Sequence, residues 1–558
     1  MTDSDVDARR SEAIDEAELA LWPRKLLIWT RLSGPGWLQG AITLGGGSLA
    51  GALYLGVIGG FDTLWVQPLA MILGVVMLAA VGYVALSTGQ RPLASVNRHI
   101  SPVLGVSWLL AVLIANHVWC LPQYTLAQAA VQQNLLPELR DSSVAPWVIG
   151  VIIFAFTATI IVFYDTGHRG IRLVEGVMKA LVGLIVLAFV LVVALLFAKG
   201  ALPVGRILAG FVPSVSSATQ ATPELQALID ATGDAGGFWQ DRVAAMQRDR
   251  VIGAFGVAVG INMTFLLPYS LLKKGWGKRH RGLAIFDLGV GLVVPFVLAT
   301  SCLVLASASQ FHGQTQDVLD EAGRPLAGES AYYQALEARA NATDVALPDD
   351  ETEKRRVLDG LPQADHKVAA ALVSRDADRL ATTLSPLLGE TVARYVFGVG
   401  VLMMALTTII VLMLMNSFAV SEALGMPESR KARIAGAMMP GVLSLFAPVL
   451  WTGETRTALF IPANVTGASL IPIAYLTFFL MMNSRKLLGE ARPTGAKRVL
   501  VNAAMLVSIT VATIGCVWGL SGRGVWGQAG IALLVVLSVW GIVEFLRREN
   551  RPAALEAA

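Results

Sequence analysis

Gly34-Pro35-Gly36-Trp37-Leu38-Gln39-Gly40-Ala41-Ile42-Thr43-Leu44-Gly45-Gly46-Gly47-Ser48-Leu49-Ala50 is an apolar segment that interrupts itself with glycine. One glycine inside a helix costs about 1 kcal/mol relative to alanine. Three in a row at the middle of a span, Gly45, Gly46 and Gly47, predict local unwinding. Unwound backbone at membrane depth is stable only where protein covers it or where it lines a cavity. Discontinuous helices of this kind mark the substrate site of secondary transporters. The competing reading is close helix packing through small residues; the binding reading is preferred.

The rest of the chain supplies the membrane context. Of its 558 residues, 55% are hydrophobic and 15% charged, against about 25% charged in soluble domains. Apolar runs of about 20 residues recur along almost the whole length, so the fold class is an all-α polytopic membrane protein. Spans are predicted near 34–59 (broken at 44–48), 64–87, 103–134, 145–164, 172–199, 250–272, 283–309, 392–420, 432–451, 457–483, 497–520 and 525–546. The three cysteines, Cys120, Cys302 and Cys516, all fall in these spans, which argues against a disulfide framework or a zinc site. The polar, acidic start of the chain lacks an apolar signal region, so no cleaved signal peptide is expected.

Basic residues set the orientation. Arg91 and Arg98, then Arg169 and Arg172, then Lys273, Lys274, Lys278, Arg279 and Arg281 occupy alternate connections. Arg430, Lys431 and Arg433 follow, then Arg485, Lys486, Arg492, Lys497 and Arg498, and finally Arg547, Arg548 and Arg551. Twelve spans with both termini cytoplasmic satisfy this pattern, as expected of a bacterial inner-membrane protein. Residues 1–30 then form a cytoplasmic tail, 31–490 a ten-span core, and 491–558 two further spans and a short tail. Two outer loops, 200–249 and 310–391, are polar, and the second is acid-rich at Asp349-Asp350-Glu351-Thr352-Glu353. Ala331–Ala340 and Val368–Leu380 have helical periodicity. These loops read as an external gate or vestibule, or as a solvated cap, the latter preferred. Asn262, Asn341 and Asn464 each open an N-x-T triplet; two lie within spans, so the pattern is not a glycan signal.

Several stretches together resemble the NRAMP (natural resistance-associated macrophage protein) family of proton-coupled divalent metal transporters. Gly34-Pro35-Gly36 followed by the break and Gly51–Gly56 resembles the family's first helix, GPG…DPGN…G. Gly260-Ile261-Asn262-Met263-Thr264-Phe265 is similar to its sixth helix, A-x-x-M-P-H, with Asp287 opening the seventh. Ile471-Pro472-Ile473-Ala474 and Ser484-Arg485-Lys486-Leu487-Leu488-Gly489-Glu490 resemble LPFA…SRKLMGE at the tenth, and Glu422 is a weaker match at the eighth. The resemblance implies a LeuT-type fold: two inverted five-helix repeats, each opened by a broken helix, with two additional C-terminal helices. It also implies alternating access around Gly45–Ser48 and Asn262–Thr264.

The departures from the family fall on the chemistry. Gly45 and Ser48 stand where the resemblance places the metal-binding Asp and Asn. Met263 keeps the sulfur ligand and is the one implied metal ligand. Gly260 replaces an Ala, Phe265 a His, and Asn464 a Gln. Ala115, Pro122 and Thr125 occupy the acidic proton-relay region. A divalent ion entering a dry site needs compensating charge, and Mg²⁺-like ions usually take at least one carboxylate. The substrate-binding set is therefore neutral: Gly45, Gly46, Gly47, Ser48, Gly260, Asn262, Met263, Thr264 and Asn464. The N-terminus of the second half-helix offers free N–H groups and a positive dipole end. A small solute, or a cation that keeps some of its water, fits such a site better than a bare divalent ion.

His117 and Asp287 are the candidate coupling residues, for H⁺ or Na⁺. His117 also reads as a packing residue, and Asp287 as a structural lock with Lys278 or Arg281. Glu175 and Lys179 are spaced for an i,i+4 pair, and Asn416 for a bridge between helices. No resident cofactor or nucleic-acid partner is expected; the partners are the transported species and the lipid bilayer. The absence of nucleotide-binding and catalytic motifs argues against an ATP-driven pump or an enzyme. A conventional proton-coupled importer of Mn/Fe-type ions and a non-transporting sensor on a transporter fold stand as alternatives.

Overall fold

In the computed structural model, which describes residues 12–326, 330–450 and 460–551, the first span leaves helical geometry at two residues. Leu44 has φ −79°, ψ 59° and Gly45 has φ −114°, ψ −177°. The halves are α1 (Pro35–Thr43) and α2 (Gly46–Gly59), and the span bends by 53° between them. The break is narrower than the expected 44–48. Gly46, Gly47 and Ser48 already belong to the first turn of α2. The reason is local satisfaction of the backbone: Ser48 Oγ donates to the Thr43 carbonyl at 2.5 Å, and Gly46 N–H donates to Gln123 Oε1 at 3.1 Å.

Unbroken helices follow: α3 (Val66–Thr88), α4 (Pro102–Ala129), α5 (Ala145–Tyr164) and α6 (His168–Ala198). After a short outer helix, α7 (Pro223–Asp230), the second half of the core opens with α8 (Gly236–Val257) and α9 (Ile261–Lys273). The chain is non-helical between them, at 258–260. The span predicted at 250–272 is thus two helices, and the first begins well inside the predicted outer loop. The next span is α10 (Arg281–Leu288), a π-turn over Gly289–Val293, and α11 (Val294–Phe311). Four outer helices come next: α12 (Ser330–Ala342), α13 (Glu351–Asp359), α14 (Gln363–Ala371) and α15 (Ala377–Leu388). The core closes with α16 (Phe397–Ala423), α17 (Arg430–Ser444) and α18 (Phe460–Asn483).

This is the expected 5+5 arrangement, with a broken helix at the head of each half. Helices α19 (Gly495–Ser521) and α20 (Gly524–Glu549) are the two additions. They are peripheral: 17% and 11% of their apolar windows are buried, against 78% for the span containing α16. Among the described residues, nine helices are long and apolar enough to cross a membrane, or eleven when two bent pairs count as single spans. The predicted segment at 250–272 is not among these, because its break and its polar outer half divide the apolar run.

Small residues serve packing as well as the break. Helix α1 lies against the π-turn so closely that a Cβ on Gly40 would stand 2.0 Å from the Gly291 carbonyl oxygen. The packing reading therefore holds for Gly40, whereas Gly45 carries the break. The two outer loops do not form a merely solvated cap. They fold together around their own core, in which Trp239 of α8, Tyr332 and Leu336 of α12, and Val368 of α14 are fully buried. Asp365 ties this unit from within, accepting from the Trp239 indole at 2.6 Å and pairing with Arg339 at 2.9 Å. The apolar periodicity at 331–340 and 368–380 is the visible trace of that core.

Candidate functional site

The two breaks meet in the bundle, where α1 and α9 pack on each other and on α16, and α9 also packs on α4. Three polar side chains, Thr43, Thr408 and Gln123, reach the first break, and Asn262 stands beside Met263 in α9. Thr43 Oγ1 donates to the Gln39 carbonyl at 2.8 Å and lies 3.2 Å from Met263 Sδ. Thr408 Oγ1 donates to the Met404 carbonyl at 2.9 Å and stands 3.4 Å from the Ile42 carbonyl. Gln123 holds the Gly46 N–H, and Asn262 Oδ1 accepts from Met263 N at 3.0 Å. A side chain at 45 would disturb this cluster, since its Cβ would fall 2.5 Å from Thr408 Oγ1 and 3.2 Å from Gln123 Nε2.

Buried amides at and near the break have unmet hydrogen-bonding capacity. Both amide atoms of Gln39, Gln123 Nε2 and Asn262 Nδ2 are buried without a protein partner. A buried unpaired polar group costs about 1–3 kcal/mol, so such groups point to a ligand or to water. The first-turn amides of α2 add donors. Among the described residues, no group of three or more His, Cys, Asp or Glu side chains could hold a metal ion. Among the described residues, the site offers amides, hydroxyls, backbone dipoles and one thioether, and no carboxylate.

Below the site, toward the face that carries the basic connections, the bundle is closed by charge. Asp287 accepts from the N–H groups of Gly34 at 2.9 Å and Gly36 at 2.6 Å, capping the start of α1. This corrects the expected lock with Lys278 or Arg281: the carboxylate answers the orphan donors and positive end of a helix. The expected Glu175–Lys179 pair is also replaced. Glu175 binds Lys274 at 2.7 and 2.9 Å, and Lys179 donates to the Ser33 carbonyl at 2.8 Å. At the α5–α6 connection Asp165 receives Arg433 at 2.9 Å and Lys273 at 2.7 Å. Burial pushes its carboxyl up, but the hydrogen bonds from Arg433 and Lys273 outweigh it and hold the group below its ordinary value.

Above the site, the outer helical unit sits on the end of α2. Tyr54 Oη donates to the Leu372 carbonyl at 3.2 Å, and His312 Nδ1 donates to the Val57 carbonyl at 2.8 Å. His312 Nε2 meets Thr222 Oγ1 at 2.8 Å and Glu224 at 3.5 Å, and Arg206 pairs with the same carboxylate. His312 first, then Arg206, hold the Glu224 carboxyl well below its ordinary 4.5, against partial burial. A depressed folded-state pKa contributes stability above the unfolded value and loses it as pH falls through the folded one. Hydrogen exchange over α7 should therefore accelerate progressively as pH drops below about 4.5, once corrected for the intrinsic exchange rate. Glu224→Gln should flatten that dependence.

Not every residue singled out from sequence faces the break. Gly45 and Gly46 form the break and Met263 Sδ reaches Thr43 beside it; Gly47 lies in the first turn of α2, Asn262 accepts from Met263 N within α9, and Gly260 caps α9 in extended geometry. Ser48 stitches the break closed. Thr264 donates to the Ile261 carbonyl and accepts from the Trp108 indole at 3.0 Å, a packing contact between α9 and α4. The Asn464 side chain lies outside the described residues. His117 donates within its own helix to Leu113, at 2.8 Å. Asn416 bridges as expected, from Asn116 at 3.3 Å to the Gly436 carbonyl at 2.7 Å. Gln39, Thr43, Gln123 and Thr408 were not anticipated. Their signal is isolated polarity at helical spacing: Gln39 and Thr43 are four apart, and Asn116 and Gln123 seven apart.

Comparison with known proteins agrees with this architecture. The sequence matches the family model described as "Natural resistance-associated macrophage protein-like" over residues 36–334 and 364–518. Metal transporter Nramp2 of Populus trichocarpa is 28% identical over 190 residues, 33% of this chain and 32% of that protein. Metal transporter Nramp4 of Arabidopsis thaliana is 28% identical over 170 residues, 30% of each. The matched stretch thus spans about a third of the length of these relatives. A mutant of the Eremococcus coleocola manganese transporter superposes with a TM-score of 0.55 at 13% identity, covering 93% of this chain and 96% of that one. The same transporter in complex with an aromatic bis-isothiourea compound gives 0.53 at 14% identity, with the same coverage.

Proposed function

The chain belongs to the Nramp (natural resistance-associated macrophage protein-like) family, and from that premise we propose that it is a secondary transporter with a remodelled, carboxylate-free substrate site. Its cargo is a cation that enters with part of its hydration shell. The observation that carries this reading is the set of buried amide atoms without a protein partner: both of Gln39, Nε2 of Gln123 and Nδ2 of Asn262. Neutral groups cannot neutralise a bare divalent ion, but Gln39 Oε1, the hydroxyls and the carbonyls at the break can accept from its retained water. Mg²⁺-like ions, which dehydrate reluctantly, suit such a site in kind.

The closures on the two sides support alternating access. The Asp287 cap and the Glu175–Lys274 pair hold the inner half of the first broken helix. The contacts of Tyr54 and His312 hold its outer half. Breaking one set while keeping the other opens the central cluster to one face at a time.

The mixture of amide donors and acceptors also favours a second reading, a small polar solute. Uptake into proteoliposomes, screened over Mg²⁺, Mn²⁺ and amino acids with and without a proton gradient, separates the two. Saturable Mg²⁺ accumulation supports the first reading and amino-acid accumulation the second. High-affinity Mn²⁺ uptake returns the chain to conventional import, and no accumulation of any of them favours a sensor.

A further inference from the structure

A polar cavity lies at the face of the basic connections. It has a volume of about 500 Å³. Arg98, Lys486, Arg547, Arg548 and Arg551 line it, with Trp540 as an apolar wall. These residues come from three separate stretches: the π-turn Val96–Ile100, the short helix Arg485–Leu488 and the end of α20. Basic residues that served only to orient the chain would spread along the cytoplasmic connections. Here five converge on one concavity, with Glu544 as the one carboxylate in the lining.

The walls are pinned. Glu544 accepts from Ser101 at 2.5 Å and from Arg548 at 2.7 Å. Arg548 also donates to the carbonyls of Asn97 and Arg98, both at 2.8 Å. Glu549 fixes the short helix by accepting from Ser484 Oγ at 2.9 Å and Arg485 N at 2.6 Å. Glu544 is thus engaged in holding the cavity's shape, and the guanidinium groups of Arg547 and Arg551 add positive charge to its lining. One turn and more toward the membrane interior, α20 turns Trp540 and Val543 outward, 58% and 40% exposed. Charge and apolar surface therefore adjoin, in the order of a lipid headgroup and its acyl chain.

We propose that this cavity binds the headgroup of an anionic phospholipid, its phosphate held by Arg98, Arg547 and Arg551 and its acyl chain laid over Trp540 and Val543. Basic pockets between membrane helices on the cytoplasmic side recognise such headgroups. A free phosphate ion would satisfy the arginines but leave the apolar wall unused. The lipid uses both, and it would tie peripheral α20 to the core at the π-turn.

Native mass spectrometry of the full-length protein, titrated with phosphatidylglycerol or phosphatidylcholine, tests this. The expected result is preferential retention of phosphatidylglycerol, weakened about fivefold for each arginine lost in Arg547→Gln and Arg551→Gln. Both variants spare Arg548, so the pinned wall remains. A charge-matched control, Lys431→Gln with Lys497→Gln, should leave retention unchanged, and millimolar inorganic phosphate should not displace the lipid. Equal retention of the two lipids, equal loss in the control, or displacement by inorganic phosphate would overturn the proposal. A Trp540→Ala variant that retains phosphatidylglycerol as well as the parent would do so too.

Discussion

Lys274→Ala should lower the stability of the protein by about 3–5 kcal/mol, the cost of leaving a buried partner charge uncompensated. Lys274 and Glu175 are 4% and 7% exposed and 2.7 Å apart, so water cannot screen the carboxylate left behind. The effect reaches the first broken helix directly. A Cβ on Gly34 would meet Glu175 Cδ and Lys274 Nζ, both at 2.2 Å, so the pair lies against the backbone that Asp287 caps. Thermal unfolding in detergent should show the loss. Removing both charges, with Lys274→Met and Glu175→Leu, should recover most of it, because a buried pair replaced by apolar side chains is often neutral. If the single variant unfolds like the parent, the pair does not hold the inner closure.

Gln123→Leu should reduce uptake about tenfold or more, since it strands the Gly46 N–H and removes a ligand-facing amide. Gln123 is the side chain of α4 that touches the break, at 3.1 Å from Gly46 N. A purely structural role predicts lost stability in proportion to lost uptake. Gln123→Glu separates the two. It keeps an acceptor for Gly46 and the shape of the side chain, and it gives the site the carboxylate it lacks. That variant should retain the fold and gain saturable Mn²⁺ binding by isothermal titration. A Glu variant that binds no Mn²⁺ would show that charge is not what the site is missing.

The location of this site was legible in the sequence, and most of its lining was not. Three glycines inside an apolar span announce a break whatever surrounds it, because the cost is local to the backbone. Met263 and Asn262 were found through the resemblance of 260–265 to the family's sixth helix. Gln39, Gln123 and Thr408 were missed because each is a single polar residue in a long apolar helix. Their importance depends on which helices meet, which is a tertiary fact. Ionic partners were misassigned for the same reason. Glu175 and Lys179 have the spacing of an i,i+4 pair, worth only about 0.2–0.5 kcal/mol, and buried contacts with Lys274 and Ser33 override it. The outer unit shows the reverse case: its helical periodicity was visible, but not that two loops separated by three helices share one core.

The most direct test is a calorimetric titration of the purified protein with Mn²⁺. A carboxylate-free site should show no saturable binding at micromolar concentrations. A micromolar Mn²⁺ affinity that vanishes with Met263→Ala would contradict it and place a dehydrated divalent ion at the break.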